Sequence, residues 1–142
     1  MALIKILLDT NAYEAFKRAD KSALEILSQA ETIGINSVVL GELLAGFAGG
    51  SKESKNLSEL NQFLQTPRIK LLPIDQTTAK YYAAVYKQLK SKGRPIPTND
   101  MWIAASALQY GLALFTYDKH FSHLDHLRQG QQLGNLYLMS DF

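Results

Sequence analysis

Short apolar runs alternate along this chain with longer amphipathic stretches, and that alternation predicts the fold. Leu3–Leu8 is strongly apolar and partly β-branched, which suits a strand buried on both faces. It ends at Asp9-Thr10-Asn11, which can start a helix over Ala12–Arg18. A second helix, Ser22–Glu31, carries Ala23, Leu24, Ile26, Leu27 and Ala30 on one face. Ile33–Asn36 reads as the next strand, and Ser37 as the cap of a helix through Val38–Phe47. That helix contains Gly41 beside Glu42; a mid-helix glycine costs about 1 kcal/mol against alanine and often marks close packing or a site that needs room.

Gly49-Gly50-Ser51 breaks the pattern but is too short to separate domains, so residues 1–142 are expected to form one domain. Leu57, Leu60, Phe63 and Leu64 then define a helix ending before Pro67. Ile69–Ile74 is a third strand. Asp75 is placed to cap a helix over Gln76–Ser91, with Ala79, Tyr82, Val85, Tyr86 and Leu89 on one side. After the rigid Gly93–Pro97 loop, Thr98 is a candidate cap for a helix whose Met101–Tyr110 stretch is apolar on nearly every side. Gly111 stops it, Leu112–Phe115 is a short strand, and Leu136–Met139 is a candidate final strand.

Strands alternating with helices predict an α/β fold, a three-layer α/β/α sandwich around a mainly parallel sheet of four to five strands. In such sheets ligands bind beyond the carboxyl ends of the strands. Asp9 follows the first strand, Glu42 lies early in the helix after the second, Asp100 opens the helix feeding the fourth, and Asp118 follows that strand. All four can converge on one edge. Taken alone, Asp100 can complement a helix dipole and Asp118 can sit in a turn. Asp75 also follows a strand, and spacing does not by itself separate it from the other four.

Convergence would have a chemical consequence. Two like charges about 5 Å apart repel by roughly 3 kcal/mol at an effective dielectric near 20. Four carboxylates in one pocket would hold protons or require a cation. Oxygen ligands without cysteine or an obligatory histidine select Mg²⁺ or Mn²⁺ over Zn²⁺, and the natural chemistry is phosphodiester hydrolysis.

Composition narrows the alternatives. No cysteine is present, which removes disulfide frameworks and thiolate metal sites and fits a reducing cytosol. The first nine residues do not read as a signal peptide, and no apolar run approaches membrane-spanning length, so no membrane association is expected. A net charge of +2 neither indicates nor opposes nucleic acid. His120, His123 and His126 recur every three residues, but such positions do not stay on one helical face, which argues against a zinc site. There is no phosphate-binding glycine loop and no readable Ser/His/Asp arrangement. The lysines and arginines read as solvated faces; Arg94, close to Asp100 in sequence, is the best placed of them to meet an RNA backbone.

The ordered set of motifs resembles the PIN-domain ribonucleases. It comprises Leu8-Asp9-Thr10-Asn11, Gly41-Glu42-Leu43-Leu44, Pro97-Thr98-Asn99-Asp100 with Trp102-Ile103-Ala104-Ala105, and Thr116-x-Asp118-x-x-Phe121. Gly46-Phe47, Gly49-Gly50-Ser51 and Gly93-Arg94-Pro95-Ile96-Pro97 extend the resemblance to bacterial VapC-type toxins of type II toxin–antitoxin modules. The resemblance spans Leu3 to about Leu127. Tyr117 departs from it, standing where many relatives carry a small, polar or basic residue, and the tail from Gln129 is longer and more polar at its start.

The resemblance implies an endoribonuclease using Mg²⁺ or Mn²⁺ held by Asp9, Glu42, Asp100 and Asp118, with Asn11 and Thr116 hydrogen-bonding around the site. Asp9 and Asp100 would hold the ion directly, while Glu42 and Asp118 would complete the cluster or act through bound water. It assigns no such role to Asp75. It further implies a cytoplasmic homodimer, cleavage to a 3′-hydroxyl and a 5′-phosphate in structured RNA such as transfer RNA, and inhibition by a cognate antitoxin through which alone it would meet DNA. Two other readings compete. In a phosphatase or receiver-like phosphotransfer protein Asp9 would accept phosphate, but the matching Lys and Thr positions are not evident. A nuclease-dead RNA- or protein-binding module would have no need to retain all four acids.

Overall fold

The computed structural model describes residues 3–137. Strands β1 (Ile4–Leu8), β2 (Ala30–Asn36), β3 (Ile69–Leu72), β4 (Ala113–Phe115) and β5 (Gln129–Gly130) form one sheet in the order β3-β2-β1-β4-β5, with every pairing parallel. Helices α1 (Thr10–Lys17), α2 (Lys21–Gln29), α3 (Ser37–Phe47), α4 (Glu53–Leu64), α5 (Gln76–Lys92) and α6 (Thr98–Tyr110) flank it in the expected α/β/α arrangement. Ile6, Leu7, Leu8, Ala113, Leu114 and Phe115 are fully buried, as central parallel strands covered on both faces require.

The order of strands positions the site. From β1 the chain runs outward through β2 and β3 on one side, then returns to place β4 and β5 on the other. The crevice between the carboxyl ends of β1 and β4 is therefore a topological switch point, where such sheets take ligands. Register brings these ends level: Leu7 opposes Leu114, Leu8 opposes Phe115, and the Asp9 amide donates to the Phe115 carbonyl at 3.0 Å. Asp9 and Thr116 thus leave the sheet side by side.

Helix ends show where local preference yields to tertiary contacts. Asn36, not Ser37, caps α3: its Oδ1 accepts from Val39 N at 2.8 Å while its amide donates to Ser106 Oγ at 3.0 Å. The second bond, to α6, favours the residue one place upstream of the expected cap. Pro97, not Thr98, occupies the cap position of α6; no side chain caps that end, and Thr98 is already helical. Asp75 caps α5 as expected, in a reciprocal box with Thr78. Gly111 ends α6 at φ 66°, a left-handed turn that suits glycine. The rings of Tyr82 and Trp102 stack at 4.2 Å between α5 and α6.

Three further expectations are corrected. Ala30 opens β2 instead of closing α2, and α2 is capped by Asp20, which accepts from Ala23 N at 3.1 Å. β3 stops at Leu72, since Pro73 has no amide for the ladder. The fifth strand is Gln129–Gly130, not Leu136–Met139. It forms through backbone bonds Leu114 N to Arg128 O and Thr116 N to Gly130 O, and a Cβ at Gly130 (φ 151°) would collide with the Asn135 side chain. Leu136 is buried just after a 3-10 turn, while residues 138–139 of the expected strand lie outside the described residues. Gly41 meets nothing within 4 Å, so close packing is not its purpose. Among the described residues no helix is long and apolar enough to cross a membrane.

Candidate metal centre

Each acid reaches the sheet edge by a different local device. Asp9 follows β1 and caps α1, its Oδ1 accepting from Thr10 N at 2.8 Å. Its other oxygen accepts from the Thr116 hydroxyl at 2.7 Å, and Thr116 Oγ1 in turn accepts from Asp118 N at 2.9 Å. A single buried hydroxyl therefore couples the residues that follow β1 and β4. Glu42 projects from the second turn of α3 and is held at both oxygens, by the Thr10 hydroxyl and by Asn99 Nδ2 at 3.2 Å. Asp100 lies in the first turn of α6.

Asp9, Glu42, Asp100 and Asp118 line one open cavity of about 470 Å³, together with Thr10, Asn11, Glu14 and Ala45. Asp75 is not among them. Asn11 accepts from Tyr117 N at 3.1 Å and so anchors the loop after β4. Tyr117 itself donates from its hydroxyl to Asp20 at 3.1 Å and packs on Phe115, which gives this departure from the resembled pattern a structural role. Arg94 borders an adjoining cavity of about 390 Å³ with Lys119, His120 and His123.

Four contributors were not legible from the sequence. His120 places Nδ1 2.9 Å from Asp100 Oδ2 and 3.1 Å from Asp118 Oδ1. That His120, His123 and His126 do not share one helical face argues against a three-histidine site but says nothing of one histidine two residues beyond Asp118. Thr10 and Asn99 sit inside the quoted motifs, and their bonds to Glu42 join elements 32 and 57 residues apart. Glu14, about one turn beyond Asp9 on α1, adds an exposed acid at the rim.

The electrostatics follow from this geometry. Burial raises the pKa of Asp9 to about 6; bonds from Thr116 and Thr10 oppose the rise, and the charges of Asp100 and Glu42 add to it. Burial also raises the pKa of Asp100, opposed by its bond to His120 and reinforced by Asp118. The bond to Asp100 raises that of His120. No lysine or arginine lines the acid cavity among the described residues. Asp9 and Asp100, which resist ionising, stand in an open oxygen-rich cavity without lysine or arginine, and such a site fits a hard divalent metal.

Comparison with known proteins identifies the family and the fold. A sequence profile of the PIN domain matches residues 6–127. Ribonuclease VapC2 of Rickettsia felis is 33% identical over 126 residues, covering 85% of this chain and 92% of the relative. The crystal structure of VapBC2 from Rickettsia felis, bound to a DNA fragment from their promoter, superposes with a TM-score of 0.77 at 30% identity, covering 89% of this chain and 98% of the other. The structure of FitAcB from Neisseria gonorrhoeae superposes at 0.73 with 27% identity, covering 86% and 94%.

Proposed function

Because the chain belongs to the PIN-domain family, we propose that it acts as the endoribonuclease toxin of a toxin–antitoxin pair, with Asp9, Glu42, Asp100 and Asp118 as its metal-binding and catalytic residues. The observation that carries this reading is the meeting of those four carboxylates at the sheet's switch point, with no lysine or arginine lining the cavity among the described residues. Asp9 and Asp100 would hold Mg²⁺ or Mn²⁺. Such an ion, when bound, supplies a more acidic water and screens phosphate charge. Glu42 and Asp118 would complete the cluster or orient the attacking water by accepting its hydrogen bonds. The water oxygen would bond to phosphorus as the P–O3′ bond breaks; the water gives up a proton and the 3′ oxygen takes one from solvent, leaving a 3′-hydroxyl and a 5′-phosphate. Thr10, Thr116 and Asn99 fix the carboxylate rotamers, so little reorganisation is needed when RNA arrives.

Structured RNA, transfer RNA included, is the substrate class we assign, with Arg94 and Lys119 at the rim as phosphate contacts. The proposed setting is the cytoplasm, in complex with a cognate antitoxin, as in the VapBC complexes the fold resembles. A homodimer is also proposed. Leu60, Val85 and Leu89 are absorbed by the core, but Tyr86 remains exposed and Leu57, Phe63, Leu64 and Tyr82 half-buried. The test is cleavage of a structured RNA in Mg²⁺ by the wild type and by Asp100→Asn, with circular dichroism to check the fold. Wild-type rates in a folded Asp100→Asn protein would overturn the reading.

A further inference from the structure

His120 is held against the acid cluster by its backbone as well as by its ring. Asp118 caps the 3-10 turn Lys119–His123 by accepting from His120 N at 2.9 Å, and the next residue, Phe121, is fully buried. With the turn pinned at both places, the imidazole returns to the carboxylates of Asp118 and Asp100. The same Asp118 Oδ1 meets both the backbone amide and the ring nitrogen of His120.

The separations have a second meaning. Neighbouring ligands around an octahedral ion with bonds near 2.1 Å lie about 3.0 Å apart, the bond length multiplied by √2. Nδ1 of His120 lies 2.9 Å from Asp100 Oδ2 and 3.1 Å from Asp118 Oδ1. The ring nitrogen already stands at that ligand spacing from each carboxylate oxygen. From this we propose that His120 is a ligand of the ion, through Nδ1 beside Asp100 and Asp118, and that the site consequently prefers Mn²⁺ to Mg²⁺.

The inference rests on the metal-dependent reading above and deepens it. Mg²⁺ takes oxygen ligands and sheds water reluctantly, whereas imidazole suits transition metals. One nitrogen among oxygens shifts selectivity toward Mn²⁺ without closing the site to Mg²⁺. The ring's side chain is 51% exposed, so the imidazole is open to an ion arriving from solvent. The competing role is a proton-bearing ring bridging the two acids that leaves when metal arrives. That role gives no metal–nitrogen bond.

Pulsed electron paramagnetic resonance of Mn²⁺ bound to the wild-type protein separates these roles, since a ligating imidazole couples its nitrogen to the electron spin. The expected result is a ¹⁴N modulation that changes on ¹⁵N-histidine labelling and disappears in His120→Asn. Mn²⁺ affinity, measured by calorimetry, should fall about tenfold or more in that variant, and Mg²⁺ affinity by less than about threefold. Because the wild-type spectrum decides the matter, a misfolded variant would not obscure it. Bound Mn²⁺ without nitrogen coupling overturns the assignment of His120 and leaves the metal-dependent reading standing. Failure of the wild type to bind Mn²⁺ or Mg²⁺ at millimolar concentration overturns both.

Discussion

Replacing Asp9 with asparagine should stabilise the metal-free protein at neutral pH while abolishing its activity. Asp9 is 5% exposed, and its carboxyl is raised from 3.8 to about 6, chiefly by burial. A carboxyl raised on folding contributes stability that is fully present below pH 3.8 and lost as the pH rises through about 6. Over that whole range the loss is about 3 kcal/mol, at 1.36 kcal/mol for each pH unit between the two values. Between pH 5 and pH 7 it is about 1.3 kcal/mol, because the native carboxyl is then mostly protonated at the lower pH. Asparagine carries no charge to desolvate and still caps α1 through its carbonyl oxygen. It no longer accepts from Thr116, which costs about 1 kcal/mol, so the net gain at pH 7 is about 2 kcal/mol. For a chain of this length that is an increase of roughly 6 °C in the melting midpoint. Thermal melts in EDTA at pH 5 and pH 7, with wild type and Asp9→Asn compared at each, isolate this residue from the other titrating groups. Added Mg²⁺ should then raise the wild-type midpoint and move the variant little. The reasoning fails if Asp9→Asn melts lower than wild type at pH 7 in EDTA, or if both proteins show the same pH dependence.

Other outcomes follow from the same geometry. Asn36→Ala removes the α3 cap and leaves Ser106 without its buried partner, so chemical denaturation should show a loss of about 2 kcal/mol. Thr78→Val keeps the shape but deletes the hydroxyl shared by Asp75 and Gln109; a loss of about 1 kcal/mol with unchanged RNA cleavage is expected. An antitoxin tail that inserts arginine among the four carboxylates must compete with metal, so titrations of the cognate antitoxin peptide should weaken as Mg²⁺ is raised. Equal affinity at low and high Mg²⁺ would place the tail elsewhere. Light scattering at micromolar concentration should report a dimer without antitoxin, and a monomer would refute the proposed homodimer.

Asp9, Asp118 and Asp75 were legible as positions because each stands at the end of an element that pattern delimits, whereas Glu42, inside α3, and the separation of Asp75 from the site rested on the resemblance. Asp9 follows the apolar run of β1, Asp118 follows that of β4, and Asp75 opens a helix long enough to need its cap. Other features depend on contacts that no local window contains. The choice of Asn36 over Ser37 turns on Ser106, 70 residues away. The two-residue β5 has no alternation to detect and is set by a glycine with Asn135 packed against it. His120 joins the carboxylates through a 3-10 turn, where the three-residue recurrence of histidines carries no information about which one faces the site.

The hydroxyl bond from Thr116 to Asp9 closes a separation of 107 residues. Timing of synthesis gives that span a consequence. A growing chain holds Asp9 and Glu42 early, but the other two acids come after residue 99, and β4 must then emerge and dock beside β1. At about 5–20 residues per second, the interval from Glu42 to Asp118 is roughly 4–15 s. Throughout it the nascent chain lacks the complete acid cluster, so under the proposed assignment cleavage must wait until β4 docks beside β1. Under the same assignment a polypeptide cut short before β4 lacks Asp118 and is expected to be inactive.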